Sequence, residues 1–130
     1  MTEKRFLNPA VLPQPFGYSH VVEVQAGRAL YISGQIALDA AGQLVGAGDM
    51  AAQAEQVFAH IAAALAAAGA SFADVVKLTY FLTDIAQIAA VRTVRDRYIN
   101  TQQPPASSAV EVRRLVRDDL LIEIEAIAVV

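Results

Sequence analysis

The sequence predicts an α+β domain in which a single mixed β-sheet carries two helices on one face. Two stretches, residues 50–68 and 84–98, repeat apolar side chains every three or four positions, which is the period of an amphipathic helix. The stretches around them alternate between apolar and polar residues or are continuously apolar, which is typical of strands. No linker-like segment divides residues 1–130, so we expect one domain with the order β-β-(β)-α-β-α-β-β.

The first half of the chain predicts an extended lead-in, two strands and a long helix. Residues 1–17 contain three prolines and are expected to form the lead-in. Residues 19–25 and 28–35 predict two strands that a short turn joins as an antiparallel hairpin, with a brief continuation of the sheet after them. Asp49 has the position of an N-cap for the helix over 50–68, which a glycine follows.

The second half predicts a central strand, a helix that starts at Asp84, a loop fixed by two prolines, and two final strands. The segments are 75–82, 84–98, 100–108, 109–115 and 120–130. In the last strand Glu123 and Glu125 share the face opposite the apolar residues. Two solvated carboxylates are the plain alternative to a functional role for this pair.

The composition favours a subunit of an oligomer over a monomer. Apolar residues make up 55% of the chain and charged residues only 18%, which leaves few charges to cover a small domain. The net charge of −3 and the isoelectric point of about 5.2 provide no basic surface for nucleic acid. Without cysteine and with only two distant histidines, no thiol chemistry or metal site is expected. Neither a membrane span nor a signal peptide is recognisable, so a cytoplasmic protein is expected.

The end of the second predicted strand has the composition of a small-molecule pocket. Its apolar run stops at Ser33, Gly34 and Gln35. The glycine allows the backbone to approach a ligand closely, and its two neighbours offer hydrogen-bonding groups. An ordinary turn at the end of a strand is the alternative.

Six short motifs follow one another along nearly the whole chain. They are Tyr18-Ser19-His20, Tyr31-Ile32-Ser33-Gly34-Gln35-Ile36, Ala68-Gly69-Ala70-Ser71, Asp74-Val75-Val76-Lys77, Phe81-Leu82-Thr83-Asp84 and Ile122-Glu123-Ile124-Glu125-Ala126-Ile127-Ala128. In this order and spacing they resemble the RidA/YjgF family. The resemblance implies a chorismate-mutase-like fold and a homotrimer with three clefts between subunits. It also implies hydrolysis of reactive enamines and imines, such as 2-aminoacrylate, to a keto acid and ammonia without a cofactor or metal.

The resemblance assigns catalytic roles to residues of the implied cleft. Tyr18 matches the tyrosine of the family pocket, and Ser33 with Gly34 matches the end of the pocket strand. Glu123, rather than Glu125, matches the glutamate that activates the attacking water. Gly34 is also expected to contact the substrate.

Two positions depart from the family pattern. Ser107 stands where the family has the arginine that binds the substrate carboxylate, and Arg92 stands where an asparagine is usual. Both residues, with Ala109, are expected to contact the substrate. Losing a bidentate arginine costs on the order of 2–4 kcal/mol of carboxylate binding, so weak turnover of 2-aminoacrylate is expected. Arg92 either relocates the positive charge to another wall of the cleft or points to solvent and pairs with Asp96.

Three functions remain open from the sequence. The first is a deaminase for an enamine or imine whose anion is bound in a non-standard way. The second is a non-catalytic trimer that binds a small metabolite in the same cleft. The third, a nuclease or translation inhibitor, is disfavoured by the acidic isoelectric point and the lack of an aromatic and basic platform. The expected partners are therefore two more copies of the chain and a small molecule, not nucleic acid or a membrane.

Overall fold

Six strands and two α-helices form residues 3–130, which a computed structural model describes, and the α+β class is as predicted. The strands are β1 (Lys4–Leu7), β2 (Val21–Val24), β3 (Ala29–Ile36), β4 (Val75–Leu82), β5 (Ala106–Glu111) and β6 (Ile122–Val129). The helices are α1 (Met50–Ala67) and α2 (Ile88–Arg95), and short 3-10 turns at Phe72–Asp74 and Ile85–Gln87 precede β4 and α2. Within these residues no helix combines the length and apolarity that crossing a membrane requires.

The main sheet is mixed and has four strands in the order β3-β6-β4-β5. β5 runs parallel to β4, whereas β6 pairs antiparallel with both β3 and β4. The predicted hairpin between β2 and β3 is wrong, because β2 pairs with β1 in a separate two-stranded sheet. The predicted lead-in therefore contains a strand. Alternation of apolar and polar residues identifies a strand but not its partner. β3 pairs with β6, in a register that places Leu30 and Ile32 beside Ala128 and Ala126 of the core.

Both helices pack on one face of this sheet, and the hydrophobic core lies between the two layers. Buried residues recur at every second position of β6, as the pleat of a strand requires, and every three or four positions along α1. They are Ile122, Ile124, Ala126 and Ala128 of β6, and Ala54, Val57, Phe58, Ile61 and Leu65 of α1. Leu78, Tyr80 and Leu82 of β4 complete this layer.

The helix ends follow the predicted capping pattern only in part. The carboxylate of Asp49 accepts a hydrogen bond from the backbone N–H three residues on, and α1 ends at Ala67, two residues before a glycine with φ of +75°. Asp84, however, caps the 3-10 turn that precedes α2 rather than α2 itself. The helix also ends earlier than predicted, at Arg95, and the chain continues in tighter turns up to Ile99.

The other face of the sheet is not covered by any helix of residues 3–130. Its side chains form one mixed surface that runs from edge to edge. They include Tyr31, Lys77, Thr79, Phe81, Ser108, Val110, Glu123, Glu125 and Ile127. Tyr31 is 79% exposed and Val110 is 45% exposed, although both have apolar bodies. Exposed aromatic and aliphatic side chains on a sheet are typical of a surface that contacts another protein.

One buried glutamine holds α1 against the loops that flank the sheet. The Gln53 side chain is fully buried, and its Nε2 donates to the carbonyls of Gly46 and Asp119, both at 3.0 Å. Its Oε1 accepts from the backbone N–H of Leu121 at 2.8 Å, just before β6. All three partners are backbone groups, so the glutamine ties three separate points of the chain together.

Gln53→Ala is expected to lower the free energy of unfolding by about 3 kcal/mol, because three backbone groups lose a hydrogen-bond partner of about 1 kcal/mol each. Urea denaturation monitored by circular dichroism measures this change. Gln56→Ala on the same helix is the matched control, since that side chain makes only one long bond to a carbonyl, at 3.3 Å to Leu38, and one to His60. If the two variants lose the same free energy of unfolding, the three hydrogen bonds of Gln53 stabilise the fold no more than those of Gln56.

Candidate active site

A cavity of about 220 Å³ opens between α2, β5 and the segment that precedes β2. Its walls combine aromatic, aliphatic, small polar and basic side chains. They are Phe16, Tyr18, Tyr80, Ile88, Val91, Arg92, Arg95, Ser107 and Ala109. Four of the predicted site residues, namely Tyr18, Arg92, Ser107 and Ala109, therefore lie together in one place.

Tyr18 reaches the cavity because the neighbouring backbone is tied to the start of β5. Ser19 is buried, its backbone N–H donates to the carbonyl of Pro105 at 3.1 Å, and its hydroxyl donates to the carbonyl of Pro104 at 2.5 Å. β5 begins one residue before Ser107, so this serine belongs to a strand and not to the predicted loop. Its short side chain leaves space where a longer one would fill the cavity.

Two arginines of α2 supply the positive charge of the cavity. Arg92 is exposed and forms no salt bridge within residues 3–130. The alternative pairing of Arg92 with Asp96 is not formed, because Asp96 binds Nε of Arg95 at 2.9 Å. Arg95 is only 8% exposed, and its guanidinium lies against Gly17, where an added Cβ would stand 2.7 Å from Cζ. The glycine, with φ of +77°, thus makes room for the buried charge.

Arg95 is a site residue that the sequence patterns did not single out. It lies on the apolar stripe of α2, four residues after Val91 and three before Tyr98, where an aliphatic side chain is expected. A cation at such a position is rarely buried unless it has a partner or a function. The break in the stripe is therefore the feature of the sequence that marks Arg95.

Tyr80 of β4 is a second site residue that alternation alone assigns to the core. It is 3% exposed, and among residues 3–130 its hydroxyl is the one buried side-chain oxygen or nitrogen without a hydrogen-bond partner. Burial raises the pKa of Tyr80 far above the usual tyrosine value, while the charges of Arg95 and Arg92 lower it and Asp96 raises it. The hydroxyl is therefore a neutral donor close to two cations.

The remaining predicted site residues, Ser33, Gly34 and Glu123, meet on the other side of the sheet. The pairing of β3 with β6 changes register between Ile32 and Gln35, and Ser33 and Gly34 lie in this bulge. A Cβ added at Gly34 would stand 2.7 Å from Cδ of Glu123, so the carboxyl group lies directly on the glycine backbone. Glu123 is half-buried and forms no salt bridge with any residue of the described chain.

The two clusters are separate within one chain. Ser107 pairs with Leu78 in the row that faces the helices, whereas Glu123 pairs with Phe81 in the row on the uncovered face. β5 and β6 are two strand spacings apart, about 10 Å, and the sheet stands between their side chains. A single chain therefore does not bring the carboxylate and the arginines to one small ligand. Glu125 shares the open face but is exposed and has no glycine beneath it.

The comparisons with known proteins identify the family. Residues 12–130 match the family described as Endoribonuclease L-PSP. The chain is 46% identical to protein DfrA of Myxococcus xanthus, over 90% of this chain and 88% of that protein. It is 41% identical to a 2-iminobutanoate/2-iminopropanoate deaminase of Capra hircus, over 97% and 90% of the two chains. The chain belongs to the RidA/YjgF family.

The fold agrees with this assignment. The crystal structure of YyfB, a Rid-family protein of unknown function from Yersinia pestis, superposes with a TM-score of 0.86 at 39% identity and covers 98% of each chain. In this RidA/YjgF protein, residues 3–130 contain no group of three or more histidine, aspartate or glutamate side chains arranged to hold a metal ion.

Tyr80→Phe is expected to leave the free energy of unfolding within about 1 kcal/mol of the parent protein, or to raise it, because the lost hydroxyl has no protein partner. Urea denaturation measures the difference. Tyr98→Phe is the control, since that hydroxyl donates to Glu55 at 2.5 Å and its loss should destabilise by about 1 kcal/mol. A loss above about 2 kcal/mol for Tyr80→Phe would mean that the hydroxyl is bonded in the folded protein.

Proposed function

We propose that this RidA/YjgF protein is a trimeric hydrolase that deaminates an enamine or imine of a small carboxylic acid in clefts between subunits. One observation carries the proposal. The group suited to activate water, Glu123, and the groups suited to hold an anion, Arg92 and its neighbours, occupy opposite faces of one sheet. Relatives of similar sequence, such as the protein of Capra hircus, are named 2-iminobutanoate/2-iminopropanoate deaminase.

The uncovered sheet face supports assembly of several copies. Tyr31 on one edge strand and Val110 on the other are exposed, with Phe81 and Ile127 between them. A rotation that places the β3 edge of one subunit beside the β5 edge of the next is a head-to-tail contact, and three such contacts close a ring. The open faces then cover one another, and each Glu123 comes to face the cavity of a neighbour.

The reaction needs only groups that the two half-sites provide. The carboxylate of Glu123 accepts a proton from water as the water oxygen bonds to the carbon of the C=N group, and the nitrogen takes up a proton. The resulting carbinolamine breaks its C–N bond, and ammonia leaves as the carbonyl forms. Because Glu123 has no salt bridge in the described chain, its carboxylate is available as the base. The backbone at Ser33 and Gly34 fixes where the carboxylate and the water lie.

Arg92 is the group that replaces the family arginine in this proposal. Ser107 offers only a neutral hydroxyl, while the side chains of Ser107 and Ala109 leave the adjacent volume open. Arg92 lines the same cavity from α2 and has no competing carboxylate among residues 3–130. A guanidinium binds a carboxylate through two parallel hydrogen bonds wherever it approaches edge-on. Tyr18 on the facing segment limits how the substrate is oriented.

Glu123→Gln is expected to lower kcat/KM at least about a hundredfold without loss of the fold, because an amide does not accept the proton of water. Gly34→Ala should also slow the reaction, since its methyl group displaces the carboxyl group of Glu123. The double variant is expected to be no slower than Glu123→Gln alone, because both changes act through one group. Rates are measured on imines that an amino-acid oxidase generates in the cuvette, with semicarbazide as the competing trap. If the losses of kcat/KM multiply in the double variant, the two substitutions do not act through the same carboxyl group.

Co-expression of two inactive variants tests the shared cleft. Glu123→Gln subunits retain the cavity, and Arg92→Ala subunits retain the carboxylate, so random assembly from equal amounts should give both groups in about a quarter of all clefts, that is, in one cleft of each mixed trimer. Activity is expected to return in the mixture and to be absent from each parent variant. Light scattering on each sample shows whether trimers form. If both variants are trimers and their mixture stays inactive, the two half-sites do not meet across subunits.

A further inference from the structure

The cavity holds more positive charge than one carboxylate requires. Arg92 and Arg95 both line it, and they lie three residues apart on the same helix. Arg92 is exposed at the opening, whereas Arg95 is buried beside Gly17. Only Nε of Arg95 is used in the pair with Asp96, so within residues 3–130 its two terminal nitrogens make no hydrogen bond. The cavity therefore has one cation at its opening and free guanidinium donors on its inner wall.

The hydroxyl of Tyr80 adds a third donor on the inner wall. It has no partner in the described chain, and it lies near enough to both arginines for their charges to act on it. A tyrosine that served only as core packing would be better replaced by phenylalanine, because an unpaired buried hydroxyl costs stability. Tyr80 and Arg95 thus form a polar wall in a cavity whose other deep residues, Ile88 and Val91, are aliphatic.

This polar wall constrains the side chain of the substrate. Whichever guanidinium binds the carboxylate next to the C=N group, the other one lies against the rest of the molecule. A methyl or ethyl side chain would cover Arg95 or Tyr80 without giving their donors an acceptor, and sites of this kind reject the analogue that lacks the polar group. A side chain that ends in a carboxylate satisfies the same donors.

We propose that the cavity binds a dicarboxylic substrate, namely the 2-imino derivative of a four- or five-carbon diacid, with one carboxylate on Arg92 and the other on Arg95 and Tyr80. The Cβ atoms of residues three positions apart on a helix are about 5–6 Å apart, so two long side chains from these positions can reach the two ends of such a diacid. That the diacid is hydrolysed rests on the proposed function. Its binding at two positive groups does not, since a metabolite that is bound without being hydrolysed would use the same contacts. Hydrolysis of this substrate has the same steps as the reaction described above: water adds to the C=N carbon, ammonia leaves, and a dicarboxylic keto acid forms.

Asp96 modifies the charge of this second site but does not cancel it. Its side chain is 46% exposed, so solvent screens much of its charge, while Arg95 is buried on the cavity side. The Asp96 carboxylate also binds Nε, on the side edge of the guanidinium. It therefore orients Arg95, whose two terminal nitrogens lie beside Gly17 and donate to no residue of the described chain.

The first test compares substrates. An aspartate oxidase and a glutamate oxidase generate 2-iminosuccinate and 2-iminoglutarate, and a general L-amino-acid oxidase generates 2-iminobutanoate. The dicarboxylic imines are expected to have a kcat/KM at least about tenfold higher than 2-iminobutanoate. Tyr80→Phe should reduce this ratio about tenfold, whereas Tyr98→Phe, a tyrosine outside the cavity, should not change it. A ratio of one or less for the parent protein would overturn the dicarboxylic site.

The second test measures binding without turnover, so that the two proposals fail separately. Calorimetric titration compares 2-oxoglutarate with 2-oxobutanoate, the keto acids that hydrolysis would release. 2-Oxoglutarate is expected to bind at least about tenfold more tightly, and Arg95→Gln should remove most of that preference. Equal affinities would overturn the dicarboxylic site even if imines are hydrolysed. Tight binding of 2-oxoglutarate together with no hydrolysis of any imine would support the site and reject the deaminase.

Discussion

The sheet of this protein is covered by helices on one face only, and the other features of the molecule depend on this. Successive side chains of a strand point to opposite faces, so each strand delivers one row to the core and one row to the uncovered side. β6 places Ile122 and Ile124 under the helices and Glu123 between them on the open face. The same alternation sends Ser107 and Ala109 of β5 to the helix side, where the cavity lies. The carboxylate of Glu123 and the side chains that line the cavity are thereby placed on opposite faces of one sheet.

Two glycines place charged groups against the backbone. Gly17 lies beside the guanidinium of Arg95, and Gly34 lies beneath the carboxylate of Glu123, and in both places a methyl group would displace the charge. Neither glycine has a simple role in ending a strand or helix. A side chain that touches backbone on one side has few other orientations available, so both charges are held in defined positions before a ligand arrives.

The positive charge of the cavity comes from the helix side and not from the strand. The sequence position that the family resemblance assigns to an arginine is Ser107, on an edge strand, whereas both cavity arginines belong to α2. A guanidinium on a long side chain is not tied to one backbone position, because its reach is comparable to the width of the cavity. In this cavity β5 contributes small side chains and α2 contributes long basic ones. An arginine on β5 that faced small side chains on α2 would fill the same volume.

Local patterns in the sequence were sufficient to predict most elements of the fold. The helical period of 50–68, the Asp49 cap, the strand over 75–82 and the alternation of the last strand all appear in the structure, because each depends on residues a few positions apart. The family motifs added the grouping of Ser33, Gly34 and Glu123, and in the structure Gly34 lies against the carboxyl group of Glu123.

Tertiary structure alone decided which strand pairs with which and which side chains share a cavity. β2 pairs with β1 and not with β3, because partners are chosen by the long-range match of core rows rather than by the turn between neighbours. Arg95 and Tyr80 sit on positions that periodicity assigns to the core, yet both line one cavity, and Gly17 makes room for the guanidinium of Arg95. Periodicity reports whether a position is buried, whereas the contents of a buried site depend on residues that are distant in the chain.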